Sequence, residues 1–453
     1  MGAIVHKPGQ LSRKDLNNWQ PRLGLAWTFR PKMVFRSSFT IITADLLTYD
    51  INQMFEEYFA TANVQAPTGD PRTIFRLSQG PPAYSYTVNP DGSVPYVGTN
   101  YGGRNATWYD PNMRSPYVAS WSGGIQWEFA PTWLMDLQYQ GSAGVKLLNG
   151  WDMNVRPIDW FPTTTSQLDA IRINWQNYKP YTQFGSINLI SNLGHNTYHG
   201  ATARVEKRFS KGMTLNSFYT WSKSINDVDG DGAMSGISYY NRRLEKGRAS
   251  HDIHHRWVTS VTYELPFGKG RKWMNEGRVL NAMLGGWEIV FIQTFQTGPP
   301  FTVGFGGSPY NYLPGVGNRA TQILPDDEVK LAHVDIGPNR FPFAAQKRYL
   351  NINGFQYPAA YTVGKLGRNT LEAPGVIWPQ ASISKSWQIL ERLRFNLRCD
   401  FNNPYKYHSF NPPNSTYNKT DPSGFGTITG TRGSFSDIGT GRWHMITVFR
   451  LEW

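Results

Sequence analysis

The chain has 453 residues, with 45 Lys and Arg against 32 Asp and Glu, a net charge of +13, and only 17% charged residues against the roughly 25% usual for soluble domains. No run of about 18 apolar residues occurs, which excludes a helical membrane span. Lys and Arg stand one at a time rather than in blocks, which argues against nucleic acid as a partner and leaves anionic lipid headgroups as the better match for the charge.

The 44 Gly, 30 Pro, 17 Trp, 24 Tyr and 25 Phe describe a turn-rich β-protein with more aromatic surface than a soluble fold needs. Residues 1–19 lack the basic segment followed by an apolar run of a signal peptide. They are expected to be the cut end of a longer chain, and residues 20–453 read as one unit. Period-two alternation marks the first strands at 22–29 and 33–43. Along 121–129, Trp121, Gly123, Ile125, Trp127 and Phe129 alternate with Ser122, Gly124, Gln126 and Glu128. Trp133, Met135, Leu137 and Tyr139 continue the pattern after the tight turn Ala130-Pro131-Thr132, which makes a hairpin with one aromatic face.

Further strands are expected over 198–209, around Leu215, Tyr219 and Trp221, and over 255–265, 286–297 and 377–387. Next come Leu393, Phe395, Leu397, Cys399 and Phe401 against Arg392, Arg394, Asn396, Arg398 and Asp400. The closing strand sets Trp443, Met445, Phe449, Leu451 and Trp453 against His444, Arg450 and Glu452. These strands are about 8–12 residues long, nearer the 9–11 of a membrane-spanning strand than the 5–6 of a globular one. Aromatics near strand ends resemble the girdles of a bilayer-spanning barrel, and the polar faces suit a wet interior. Tight turns at 130–132, 210–212 and 390–391 contrast with long connections, expected to be structureless, at 45–117, 149–197, 303–376 and 403–441. That is the asymmetry of an outer-membrane barrel.

Chemistry-bearing patterns are few. Cys399 is the only cysteine, so no intrachain disulfide or cysteine metal site is possible. His251, His254 and His255 with Asp252 resemble a metal cluster, but alternation puts His254 and His255 on opposite faces; a loop-to-strand hydrogen-bonding motif is expected. Asp227, Asp229 and Asp231 suggest a calcium loop, but the twelfth position is Ser238 rather than Glu and the flanks are strand-like. The glycines of 303–307 are not followed by Gly-Lys-Ser/Thr, and no Gly-x-Ser-x-Gly or His-Glu-x-x-His occurs. Neither an enzyme, a cofactor nor a bound metal is expected. The loop aromatics Trp108, Tyr109, Trp151, Trp160, Trp175, Tyr178 and Tyr181 are candidates to stack on a ligand or to pack the loops.

Ordered motifs across most of the chain carry a family resemblance. They include Pro21-Arg22-Leu23-Gly24-Leu25-Ala26-Trp27, Tyr198-His199-Gly200, the run from Glu206 to Gly212, and Tyr219-Thr220-Trp221-Ser222. They continue with His251 to Arg256, Glu264-Leu265-Pro266-Phe267-Gly268-Lys269-Gly270, Gly285-Gly286-Trp287, Thr297-Gly298-Pro299-Pro300 and Phe401-Asn402-Asn403-Pro404. In this the chain resembles the C-terminal barrel portion of Oar-like TonB-dependent outer-membrane receptors of the acidobacterial type. The resemblance implies a transmembrane antiparallel up-and-down β-barrel in the outer membrane of a Gram-negative cell, with roughly 12–16 of the family's 22 strands present. It implies a fragment without signal peptide, plug or TonB box, coupled to TonB only through the missing plug. Phe449, Leu451 and Trp453 resemble the C-terminal signal read by the barrel-assembly machinery. The expected function is uptake of an unidentified ligand, with lipid and a small ligand or glycan as partners. A surface β-protein that binds glycans, or a passive porin, are the alternatives.

Overall fold

The structure, a computed structural model, describes residues 15–44, 104–110, 112–162, 164–182, 184–229, 238–274, 276–306, 317–331, 348–359, 362–407, 409–418, 420–421, 423–432 and 443–453. Side chains at alternate positions leave an extended backbone in opposite directions, and the alternating segments form long strands. In chain order these are β1 (Arg22–Arg30), β2 (Met33–Thr43), β3 (Arg104–Tyr109), β4 (Tyr117–Ala130) and β5 (Trp133–Asp152). Next come β6 (Phe184–Ser210), β7 (Met213–Asn226), β8 (Gly247–Arg248), β9 (His255–Glu264) and β10 (Trp287–Gln296). Five short strands follow: β11 (Pro300–Phe301), β12 (Gly304–Phe305), β13 (Thr321–Gln322), β14 (Phe355–Gln356) and β15 (Leu371–Glu372). The last are β16 (Val376–Leu390), β17 (Leu393–Asn402), β18 (Thr416–Tyr417) and β19 (His444–Glu452).

One sheet carries the order β1-β2-β4-β5-β6-β7-β9-β10-β16-β17-β19, with β3 and β8 alongside β6 and β7. Each neighbour on the main path is antiparallel and next in line, which is the wall of an up-and-down barrel. Among the described residues β1 and β19 are its two ends.

Register welds the single-strand patterns into two faces. Trp27, Phe35, Ile125, Leu137, Ala203, Tyr219, Trp257, Phe295 and Ile377 lie in one row across nine strands. A row on the opposite face reads Thr40, Ser120, Ser142, Tyr198 and Ser224. A one-residue slip would exchange the faces, so the alternation fixes the register. The apolar face stays bare: Trp27 is 60% exposed and Trp221 58%.

Both ends follow the expected asymmetry. Two-residue turns at 31–32, 131–132, 211–212 and 391–392 join strands at one end, and the 265–286 connection lies at that end too. Five longer connections lie at the other end. The 45–117 connection is described only from residue 104, where β3 runs parallel to β6.

Two expectations about the loops need correction. The 149–197 connection is shorter than expected and strand at both ends, because β5 runs on to Asp152 and β6 begins at Phe184. With 27 residues, β6 spans about 90 Å, well beyond what a bilayer requires. Here Trp151, Ile187, Leu189, Ile190 and Ser191 are all buried; both faces are covered, so the period-two signal vanishes. The second correction concerns 303–376 and 403–441, which are not structureless. They share a core of Val303, Phe305, Val329, Leu350, Phe355, Leu371, Tyr417 and Phe425. Within it Phe355 and Tyr417 each pack on Phe425 at 5.4 Å between ring centroids, and β12 pairs with β18 to tie the two loops together.

Candidate functional site

Two features stand out: a hollow on the polar face of the sheet, and an aromatic cluster in the connection between β5 and β6. The hollow, about 330 Å³, is lined by Ser38, Ser120, Ser122, Gln140, Ser142 and Tyr198 with Trp121 and Gly141. The six polar residues come from β2, β4, β5 and β6, and share one face by register. Ser38 and Ser122 hydroxyls lie 2.7 Å apart. Hydroxyls and an amide offer donors and acceptors without net charge.

The aromatic cluster is built on the connection between β5 and β6. The Arg156 guanidinium stands 5.0 Å above the Trp160 ring, a cation–π distance. Trp160 meets Tyr178 at 6.1 Å and Phe161 edge-on at 5.4 Å. Phe161 stacks on Trp175 at 5.8 Å. Phe161, Leu168 and Ile171 form the buried base, with Leu244 and Val363 added from two other connections. Asn154 locks the segment: its Nδ2 donates to the carbonyls of Tyr181, Phe184 and Gly185, and its Oδ1 accepts from the Tyr181 amide.

Of the seven aromatic candidates, Trp160, Trp175 and Tyr178 are brought together, and Tyr181, tied to Asn154, is 45% exposed. Trp108 is exposed on β3, away from this contact set, and Tyr109 packs on Met113, Leu148 and Ile190. Trp151 does not present its ring to a ligand. It is 1% exposed, inside the strand extension of β5, and its Nε1 has no hydrogen-bond partner. Sequence reasoning missed Arg156, whose signal was a cation four residues before Trp160 in an aromatic-rich loop. It also missed the hydroxyl hollow, which exists only once register brings four strands together.

A charge network fastens the loop layer to the sheet. Arg319 and Glu245 pair at 2.8 Å with both side chains buried, and Arg319 Nη1 donates to the Leu244 carbonyl at 2.6 Å. Burial draws the Arg319 pKa down and Glu245 opposes it, so the group stays a cation. Arg368 donates to the carbonyls of Glu245 and Asn226 and pairs with Asp229. Burial pushes the Asp229 carboxyl up, but the Ser250 amide, Asn226 and Arg368 outweigh it and hold it below its ordinary value.

The histidine–aspartate cluster is a loop-to-strand corner. Asp252 accepts from the Ser224 amide and from Arg248 Nε, each at 2.7 Å. His255 Nδ1 and the Tyr219 hydroxyl are 2.6 Å apart on the apolar face. Among the described residues no three His, Cys, Asp or Glu could hold a metal ion. Asp227 accepts from the His195 amide at 2.7 Å, and Asp231 lies outside the described residues. At the C-terminus Phe449, Leu451 and Trp453 are all exposed, with Phe449 stacked on Phe395 at 6.2 Å.

Among solved structures, the chain is similar to the outer membrane transporter YddB from Escherichia coli. That match has 9% identity and a TM-score of 0.42, and covers 92% of this chain and 39% of that one. It is similar to the siderophore receptor PiuA from Acinetobacter baumannii at 8% identity and a TM-score of 0.41, covering 95% and 36%. The FrpB iron transporter from Neisseria meningitidis (F3-3 variant) gives 12% identity and 0.40, covering 95% and 38%. The chain thus spans under two fifths of the length of these proteins. No curated protein matches it. A family model described as an outer membrane beta barrel domain matches residues 3–442, and the chain belongs to that family of outer-membrane β-barrels.

Proposed function

We propose that this chain forms the wall and the ligand-facing loops of a transporter of the TonB-dependent receptor type, and that it is not an enzyme. The observation that carries the reading is a pair of surfaces borne by the same strands: a polar face with a hydroxyl-lined hollow, and a β5–β6 connection, at the long-loop end, that presents Trp160, Tyr178 and Arg156. A ligand with a flat or ring-shaped face and an anionic or hydroxyl periphery suits that pair of surfaces. The outer face meets lipid. Phe449, Leu451 and Trp453 face outward on the last strand, as a sequence read by the barrel-assembly machinery would. Coupling to TonB belongs to a plug domain, as in the receptors whose motifs the sequence resembles.

The test uses the full chain folded in detergent. A heat-modifiable, protease-resistant band checks the barrel, and tryptophan fluorescence then follows titration with a ferric catecholate and a maltooligosaccharide. Saturable binding of either that weakens about tenfold in Trp160→Ala and Arg156→Ala supports the reading. Binding indifferent to both substitutions removes the cluster from it. Ion conductance in a planar bilayer that neither probe blocks turns it into a passive porin.

A further inference from the structure

The connection from β9 to β10, residues 265–286, differs from the two-residue turns at its end of the sheet. It is a closed unit. A Cβ on Gly268, whose φ is +103°, would meet the Gly285 Cα at 2.6 Å, so the two glycines pack backbone to backbone. Asn281 Oδ1 accepts from the Lys269 amide at 2.7 Å. Trp273 and Pro266 are joined through the Trp273 amide at 3.0 Å.

The unit carries a helix, Arg278–Leu284. Carbonyls in the last turn of a helix have no partner inside it, and here the sheet supplies some. Lys385 Nζ and Trp387 Nε1 donate to the Ala282 carbonyl at 2.6 and 2.7 Å, and Trp287 Nε1 donates to the Met283 carbonyl at 2.9 Å. The Lys385 ammonium stands 5.5 and 4.9 Å from the centroids of the Trp287 and Trp387 rings. All three side chains belong to the apolar face, in register with Leu397 and Phe395. The helix therefore lies outside the wall, at the short-turn end. What it leaves uncovered is apolar: Val279 is 70% exposed and Met283 63%. Beside it, exposed Lys269 and Lys272 flank an exposed Trp273, with Lys272 5.0 Å from that ring. Arg271 is held by Glu264 at 2.5 Å.

We propose that residues 265–286 are an interfacial anchor that seats in the periplasmic leaflet of the outer membrane and binds anionic phospholipid headgroups through Lys269 and Lys272. Three features point to phospholipid. The bare helix face continues the lipid-facing surface of β10 and β16; indole and cations stand where an interfacial segment places them; and the segment has four basic residues against one acidic. Short turns mark the periplasmic end of such a barrel. The inference rests on the reading that the apolar face meets lipid.

The test reconstitutes the full chain, in a Cys399→Ser background, into vesicles of phosphatidylethanolamine with phosphatidylglycerol. A nitroxide is attached at Met283→Cys or, separately, at Leu137→Cys on the apolar face of β5, and its access to oxygen and to a water-soluble nickel chelate is compared. Oxygen-dominated access at 137 and a headgroup-depth ratio at 283 is the expected result. Oxygen-dominated access at 137 with full nickel access at 283 overturns the anchor and leaves the barrel standing. Nickel access at both overturns both. Lysine contributes near an anionic surface about a fivefold bias each, so Lys269→Gln with Lys272→Gln is expected to shift the label at 283 toward water in these vesicles and not in pure phosphatidylcholine. Equal shifts in the two lipids overturn the headgroup contact.

Discussion

The sheet and the loop layer bury apolar side chains in opposite ways. The three buried clusters, around Phe425, Phe161 and Ile190, consist of loop residues and the strand extensions next to them. The body of the sheet leaves Leu25, Trp27, Trp221 and Phe449 exposed. A water-soluble protein with this sheet would need a second layer over that face. The loop layer has built its own core because it stands in water. The sheet has not, because a bilayer covers it. The loop layer also buries paired charges: Arg319 with Glu245, and Asp252 with Arg248.

The largest expected effects separate these two regions. Phe425→Ala empties a ring site at the centre of the loop core and is expected to cost about 3–5 kcal/mol. Arg319→Ala strands Glu245 and is expected to cost a similar 3–5 kcal/mol. Both losses should appear as faster proteolysis of the 297–375 connection while the heat-modifiable band persists. Phe449→Ala, on the lipid side, should leave loop proteolysis unchanged. If Phe425→Ala abolished the heat-modifiable band, the two regions would be one cooperative unit and the contrast would fail.

Next in size is a pair of neighbours on β5. Leu137 faces outward and is 46% exposed, while Gln138 faces the interior. Leu137→Arg is expected to cost about 2–4 kcal/mol in a bilayer, where Gln138→Arg costs little. Urea unfolding in lipid vesicles measures both. Equal costs would mean that the apolar face does not meet lipid.

The sequence showed the sheet clearly and the loop layer hardly at all. Alternation carries register for any strand with one apolar face, and so Trp121–Phe129 and Leu393–Phe401 were legible residue by residue. It fails where both faces are covered, which is why Trp151 read as a loop aromatic and sits buried at the end of β5. The loop core was illegible for another reason. Phe355 and Phe425 are seventy residues apart in the chain, and no local pattern announces that they touch. Trp160, Trp175 and Tyr178 were visible as candidates because they crowd into one connection. Arg156, Ser38 and Ser122 became candidates only with geometry.

Acidification should divide the regions a third way, through groups of the loop layer. Burial, with Arg248 nearby, holds the His254 pKa below its ordinary value of 6.5. The hydrogen bonds and Arg368 hold Asp229 below 3.8 against its burial. A depressed pKa means that the folded state binds fewer protons than the unfolded one, so each contribution is present above the unfolded value and is lost as pH falls. Loop proteolysis is therefore expected to rise in two stages, one beginning below about pH 6.5 and the other below about pH 4. His254→Asn should remove the first stage and leave the second. Tyr349 acts at the other extreme: burial and Glu372 push it up to about 12, so its contribution is present below about pH 10 and fades above that. A loop layer indifferent to pH from 7 down to about 4 would take His254 out of the account and leave Asp229 as its acid-sensitive group.

The smallest expected effect tests the short-turn end. Thr132 has φ of +69°, a conformation that costs a β-branched residue on the order of 1–2 kcal/mol. Part of that cost is offset locally, since its hydroxyl lies 3.2 Å from that of Ser210 in the next turn and links two hairpins. Thr132→Gly relieves the backbone but loses the link and adds chain entropy to the unfolded state. Ser210→Ala removes the link and keeps the strain. Thr132→Gly is expected to change stability by less than about 1 kcal/mol, and Ser210→Ala to lower it by about 0.5–1 kcal/mol. With Ser210→Ala already present, Thr132→Gly has no link left to lose, and it should then stabilise the barrel in urea unfolding. If it destabilised that background too, relief of the positive φ would be too weak to matter, and the turn would owe its geometry to the flanking strands rather than to a bond between neighbouring turns.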